Sequence, residues 1–138
     1  MTEILITGGC LCGAIRYEAR GEPGPMGFCF CADCRKASGS GFIPFMNFPA
    51  ERLKFFGRPR QFCSPALRGV TAVRNYCPDC GGLVFGGPVG ETDSHTLYAG
   101  SLDDPSNFKP AIAIFLRDRP DWVPLPEGLA GFETMPGL

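Results

Sequence analysis

A chain of 138 residues with a net charge of -1, 44% hydrophobic and 20% charged residues fits one domain, residues 1–138, with a core of its own. The near-neutral balance and the lack of a basic tract exclude duplex nucleic acid and anionic lipid as default partners, and no apolar run approaches the ~20 residues that span a bilayer. The start, MTEILITGG, lacks a basic region and a long apolar run, so no signal peptide is read and a cytoplasmic location is expected, where thiols stay reduced.

Taken in chain order, short apolar runs alternate with glycine and proline. EILITG reads as a first strand and is followed by CLCG at 10–13, which places Cys10 and Cys12 just before a second strand, AIRYEARG. GFCFC at 27–31 is a third strand. Successive side chains of a strand point to opposite faces, so Cys29 and Cys31 share one face while Phe28 and Phe30 take the other. ADCRKASG at 32–39 is the one plausible helical turn, closed by Gly39. It carries Cys34 back toward Cys31. FIPFMNF and RLKFFG are further strands, RQFCSPALRG carries the isolated Cys63, and VTAVRNY and GLVFGG flank CPDCGG at 77–82 as the two arms of a hairpin. HTLYAG opens on His95, the single histidine, and AIAIFLRD is the last strand-like run. From about Pro120 the proline-rich tail is expected to run extended over the surface. The fold class expected is mainly β.

Seven of the eight cysteines fall in tight clusters. In a reducing compartment such clustering suits a metal ion better than a disulfide framework. The C-x-x-C of Cys77 and Cys80 lets one turn present two sulfurs, with Pro78 presetting φ and Gly81 free to take a positive φ. Joined with Cys10 and Cys12 it makes a closed four-sulfur zinc site of the structural kind, stapling residues near 10 to residues near 80.

Cys29, Cys31 and Cys34 supply three sulfurs to a second site. Its fourth corner is open to Cys63, His95, an acidic residue, water or a substrate thiol; for Cys63 and His95 the ordinary readings, a small packed residue and a hydrogen-bonded or surface histidine, weigh more. Three protein ligands and one open position is the pattern of a catalytic zinc. A soft three-thiolate site matches a fourth thiolate, which the ion would hold deprotonated and ready for an electrophile such as an aldehyde. Arg35 and Lys36 follow directly and are the cations expected to grip a substrate carboxylate, with Arg16 and Arg74 as further basic residues.

The ordered set GGCLCGAIRYEARG, FCFCADCRKASGSGF and NYCPDCGG, with the ending LDDPSNFKPAIAIFLRDRPDWVPLPEGLAGF, resembles the glutathione-dependent formaldehyde-activating enzyme family, shared with the centromere protein V family. The resemblance implies a β-tent fold of stacked antiparallel sheets and two Zn2+ sites. In it Cys10, Cys12, Cys77 and Cys80 form the structural set, and Cys29, Cys31 and Cys34 the catalytic one. It also implies glutathione as co-substrate, a small aldehyde as partner, and a carbon–sulfur lyase activity that makes or breaks S-hydroxymethylglutathione. The sequence departs from the family pattern at Ala113, where members often carry a histidine. Two other readings stand beside this one: a zinc-stapled β module that binds a protein partner, and cysteine redox chemistry with Cys63 as nucleophile.

Overall fold

The computed structural model describes residues 3–136. Among these residues eleven strands form two sheets, and the mainly β expectation holds. The smaller sheet is antiparallel, in the order β1 (Leu5–Gly9), β2 (Arg16–Arg20), β5 (Leu53–Phe56). The larger contains β3 (Met26–Cys29), β4 (Ile43–Pro49), β6 (Arg60–Pro65), β7 (Thr71–Tyr76), β8 (Leu83–Gly86), β9 (Ser94–Tyr98), β10 (Ile112–Ile114) and β11 (Ala130–Gly131). Its order is β11-β10-β3-β4-β9-β8-β7-β6. The single α-helix among the described residues, α1, spans Ala32–Ser38, where the sequence places its one helical turn, and the N–H of Gly39 caps it by donating to the Arg35 carbonyl at 2.9 Å.

The larger sheet departs from an all-antiparallel arrangement in one place. β10 runs parallel to both β3 and β11, while the other pairings in that sheet are antiparallel. A parallel partner cannot be reached by a tight turn, so β10 returns to β3 only after most of the chain has been laid down. Gly27 makes the close approach possible: a side chain there would collide with the Ile112 carbonyl. The tail does more than cross the surface. Val123 is buried, and Ala130–Gly131 adds a strand beside β10.

The main core lies between the sheets and is built on Tyr17, Phe48, Phe85, Met46 and Leu97, all essentially fully buried. Two smaller clusters flank β3 on its opposite faces. Phe30 packs with Ala113 and Val123, and Phe28 and Phe42 lie against them; Cys29 packs with Phe45 and Ile114. The alternation read from FCFC is thus realised, with aromatics to one side and sulfur to the other. Among the described residues no helix is long and apolar enough to cross a membrane.

Candidate metal centres and active site

CPDCGG folds as the knuckle its composition implies. The Cys77 N–H donates to the Gly82 carbonyl at 2.9 Å, the Gly81 N–H donates to the Cys77 carbonyl at 2.8 Å, and Gly81 takes φ 76°. The CLCG turn faces it. Cys10, Cys12, Cys77 and Cys80 bring their sulfurs within 4.8 Å of one another. The Cys10–Cys12 and Cys12–Cys77 sulfur separations are 3.8 and 3.6 Å. A tetrahedral four-sulfur zinc site with bonds near 2.3 Å needs sulfurs about 3.8 Å apart, so the donor set fits the ion in number, type and spacing. Backbone N–H groups aim at the sulfurs, from Ile15 to Cys10 at 3.2 Å and from Asp79 to Cys77 at 3.4 Å. The Cys12 and Gly82 amides help to lower the Cys80 thiol to about 6.

The second cluster forms where β3 hands over to α1. The strand pairing continues one residue past β3, with the Phe30 N–H donating to Ile114 at 3.1 Å. Cys31 then caps the helix: its sulfur accepts the Cys34 N–H at 3.2 Å. The first helical turn swings Cys34 back, and the sulfurs of Cys29, Cys31 and Cys34 lie within 4.8 Å of one another. Cys29 is buried and its two partners are half-buried. Hydrogen bonds from the Cys29 and Cys34 thiols drive Cys31 down to about 2, and the same sharing pushes Cys29 far up and Cys34 up to about 11. Three soft donors at this spacing fit zinc and leave one tetrahedral corner without a sulfur.

The other residues weighed for that corner lie elsewhere. His95 is buried with Nδ1 3.0 Å from the Gly86 carbonyl and its ring edge-on to Phe55 and Phe85. Cys63 is exposed on β6, opposite Val73. Ala113 is fully buried against Phe30 and Val123, on the face of β10 turned away from the Cys29 cluster.

Two clefts of about 550 Å³ each open beside the trio. Cys29 and Cys34 line the first and Cys31 the second, and Arg74 lines both. Arg74, on β7, is 8% exposed and has no carboxylate partner among the described residues. Its guanidinium donates to the Ser64 hydroxyl at 3.2 Å and to the Cys34 sulfur at 3.9 Å. Burying a cation without a counter-charge is costly, and the sulfur cluster is what offsets it here. Of the other basic residues singled out from sequence, Arg16 is tied to Asp103, Lys36 is exposed on α1, and Arg35 is half-buried with its Nε lacking a hydrogen-bond partner; none of the three lines either cleft. Tyr98 on β9 also lines the first cleft. Nothing in HTLYAG marks it, because its place depends on the β4–β9 register, which pairs it with Phe45.

A family model described as glutathione-dependent formaldehyde-activating enzyme matches residues 5–118 of this chain. The chain belongs to that family. The match spans both cysteine clusters, Arg74 and Tyr98. No curated protein matches this family member. Among solved structures, a Rhodobacter sphaeroides protein from a structural genomics programme is similar to it, with a TM-score of 0.54 at 16% identity, covering 91% of this chain and 98% of that one. At that identity the likeness concerns the fold.

Proposed function

We propose that this chain is a zinc-dependent carbon–sulfur lyase that joins a glutathione-type thiol to an aldehyde and reverses that addition. The observation that carries the reading is the pairing of one complete four-sulfur set with a three-sulfur set that opens onto clefts. Cys10, Cys12, Cys77 and Cys80 would hold a structural ion, and Cys29, Cys31 and Cys34 a catalytic one. When bound there, zinc would supply a site at which a substrate thiol stays deprotonated near neutral pH.

The chain's own groups do the rest. The substrate sulfur attacks the carbonyl carbon, a C–S bond forms, and the carbonyl π pair moves to oxygen. The alkoxide then takes up a proton from solvent, equal to the one the thiol released on ionising, to become a hydroxyl. Arg74 stands beside the sulfur cluster and carries the fixed positive charge and N–H donors suited to that developing oxyanion. Ile43, Phe45 and Ile114 in the first cleft would offer an apolar surface beside the carbonyl. In reverse, loss of the hydroxyl proton regenerates the carbonyl and the sulfur leaves as thiolate. Arg35 and Lys36 on α1 are proposed as outer contacts for a substrate carboxylate.

The test is a titration of cobalt-substituted protein with millimolar glutathione, read in the sulfur-to-metal charge-transfer band, alongside NMR exchange between formaldehyde and its glutathione adduct. A band change with accelerated exchange is expected. An unchanged band and an exchange rate equal to that of buffer would sink the reading.

A further inference from the structure

The two clefts that meet at the cysteine trio differ in charge. The first presents a single charged side chain, Arg74, among apolar Ile43, Phe45 and Ile112 and neutral polar Asn47, Thr96 and Tyr98, and it holds no carboxylate. The second presents Arg74 and Arg117 together with Asp33 and Asp118. Arg117 and Asp118 stand 3.7 Å apart, and the Arg117 guanidinium lies 5.8 Å from the Phe115 ring centroid. Phe115 itself sits at φ 57°, a left-handed conformation rare for a bulky residue, at the rim of this charged cleft.

Size and charge together separate the occupants. Formaldehyde has two heavy atoms and is little larger than water, whose share of liquid volume is about 30 Å³. A cleft of about 550 Å³ with a largely uncharged wall is far too large to be matched to it. A glutathione-type peptide carries two carboxylates and an ammonium, and a cleft of mixed sign meets that pattern where a nearly uncharged one does not.

We propose that the site is bipartite: the zwitterionic thiol lies in the cleft of Asp33, Arg117 and Asp118, and the first cleft receives an extended, uncharged, apolar group borne by the carbonyl partner. The substrate class is thus a thiol adduct of a longer-chain or aromatic aldehyde. Arg74 and the three sulfurs form the wall between the halves, where carbon and sulfur meet. This inference rests on the lyase reading for the identity of the thiol, and its test is one of binding.

S-alkyl glutathiones from methyl to hexyl serve as probes, measured by isothermal titration calorimetry on the zinc-loaded protein. Each buried methylene is worth a factor of about four in affinity when fully desolvated. The wild-type chain is expected to bind S-hexylglutathione at least tenfold more tightly than S-methylglutathione. Val73→Trp, which narrows the first cleft, is expected to bring that ratio below threefold while leaving the S-methyl affinity within twofold. Arg117→Glu is expected to weaken both probes alike, by fivefold or more. A wild-type ratio of twofold or less, binding of neither probe, or an Arg117→Glu protein that binds both as before would overturn the proposal, and the wild-type series decides it even if a variant fails to fold. The lyase reading fails separately: a chain that exchanges formaldehyde but binds the series without gradation keeps the activity and loses the bipartite site, and a graded series without exchange does the reverse.

Discussion

The guanidinium of Arg74 lies 3.9 Å from the sulfur of Cys34, although the two residues come from strand β7 and helix α1. With three thiolates around a divalent ion the second site would carry an excess negative charge, and Arg74 is a buried cation beside it. Arg74→Met keeps the volume and removes the charge. Its stability is expected to fall by about 3 kcal/mol with the cooperative transition retained, because removing one partner of a buried charge pair leaves the sulfur cluster's charge uncompensated. Its kcat/KM for adduct exchange is expected to fall by about 10²-fold, the loss typical of one oxyanion donor. Thermal melts and NMR exchange on the same preparation check both halves.

Cysteine substitutions divide the two sites. Cys77 is fully buried and its sulfur is part of a staple joining positions 65 apart in sequence. Cys77→Ser is expected to lose a cooperative thermal transition, since binding energy at a structural zinc is folding energy. Cys31→Ser is expected to keep the transition, to lower the metal content from two ions per chain to one, and to abolish exchange. Metal analysis and a melting curve separate the outcomes, and a Cys77→Ser protein that melts like the wild type would remove the structural role.

Acid is expected to empty the second site first. In the metal-free trio Cys31 is already a thiolate, held down to about 2, while Cys29 and Cys34 are pushed up and keep their protons at neutral pH. Loading zinc on three thiolates therefore releases about two protons. The sign follows: protons are bound in the empty state, so falling pH favours release, and the logarithm of the affinity is expected to rise by about two per pH unit near neutrality. The four-sulfur set, with one more ligand, is expected to hold its ion to lower pH. Chelator-monitored release over a pH series reads this as two steps of equal amplitude.

Cys63 is the exposed thiol outside both clusters. In zinc-loaded protein it is expected to label first with a thiol reagent, and Cys63→Ser is expected to leave adduct exchange within twofold of wild type. A Cys63→Ser protein that loses activity with its zinc content intact would restore the redox reading.

The cysteine spacing, by itself, disclosed the two sulfur clusters that could hold a metal ion. C-x-C before a strand, C-x-C-x-x-C across a strand end and C-P-x-C in a hairpin turn are local geometries, set by the two-residue strand repeat, the first turn of a helix and the φ of proline and glycine. Short-range rules also sufficed for α1 and its glycine cap, and for the division of β3 into an aromatic and a sulfur face. What the chain could not disclose locally was which distant residues would face the open trio. Four basic residues were eligible; the pairing of β7 with β6 and β8 places Arg74 there, while Arg16 joins Asp103 on the other side of the fold. The parallel return of β10, the burial of Ala113 and the contrast between the two clefts arise in the same way. They depend on contacts between residues tens of positions apart, whose register is decided by how the whole core packs and by no property of either segment alone.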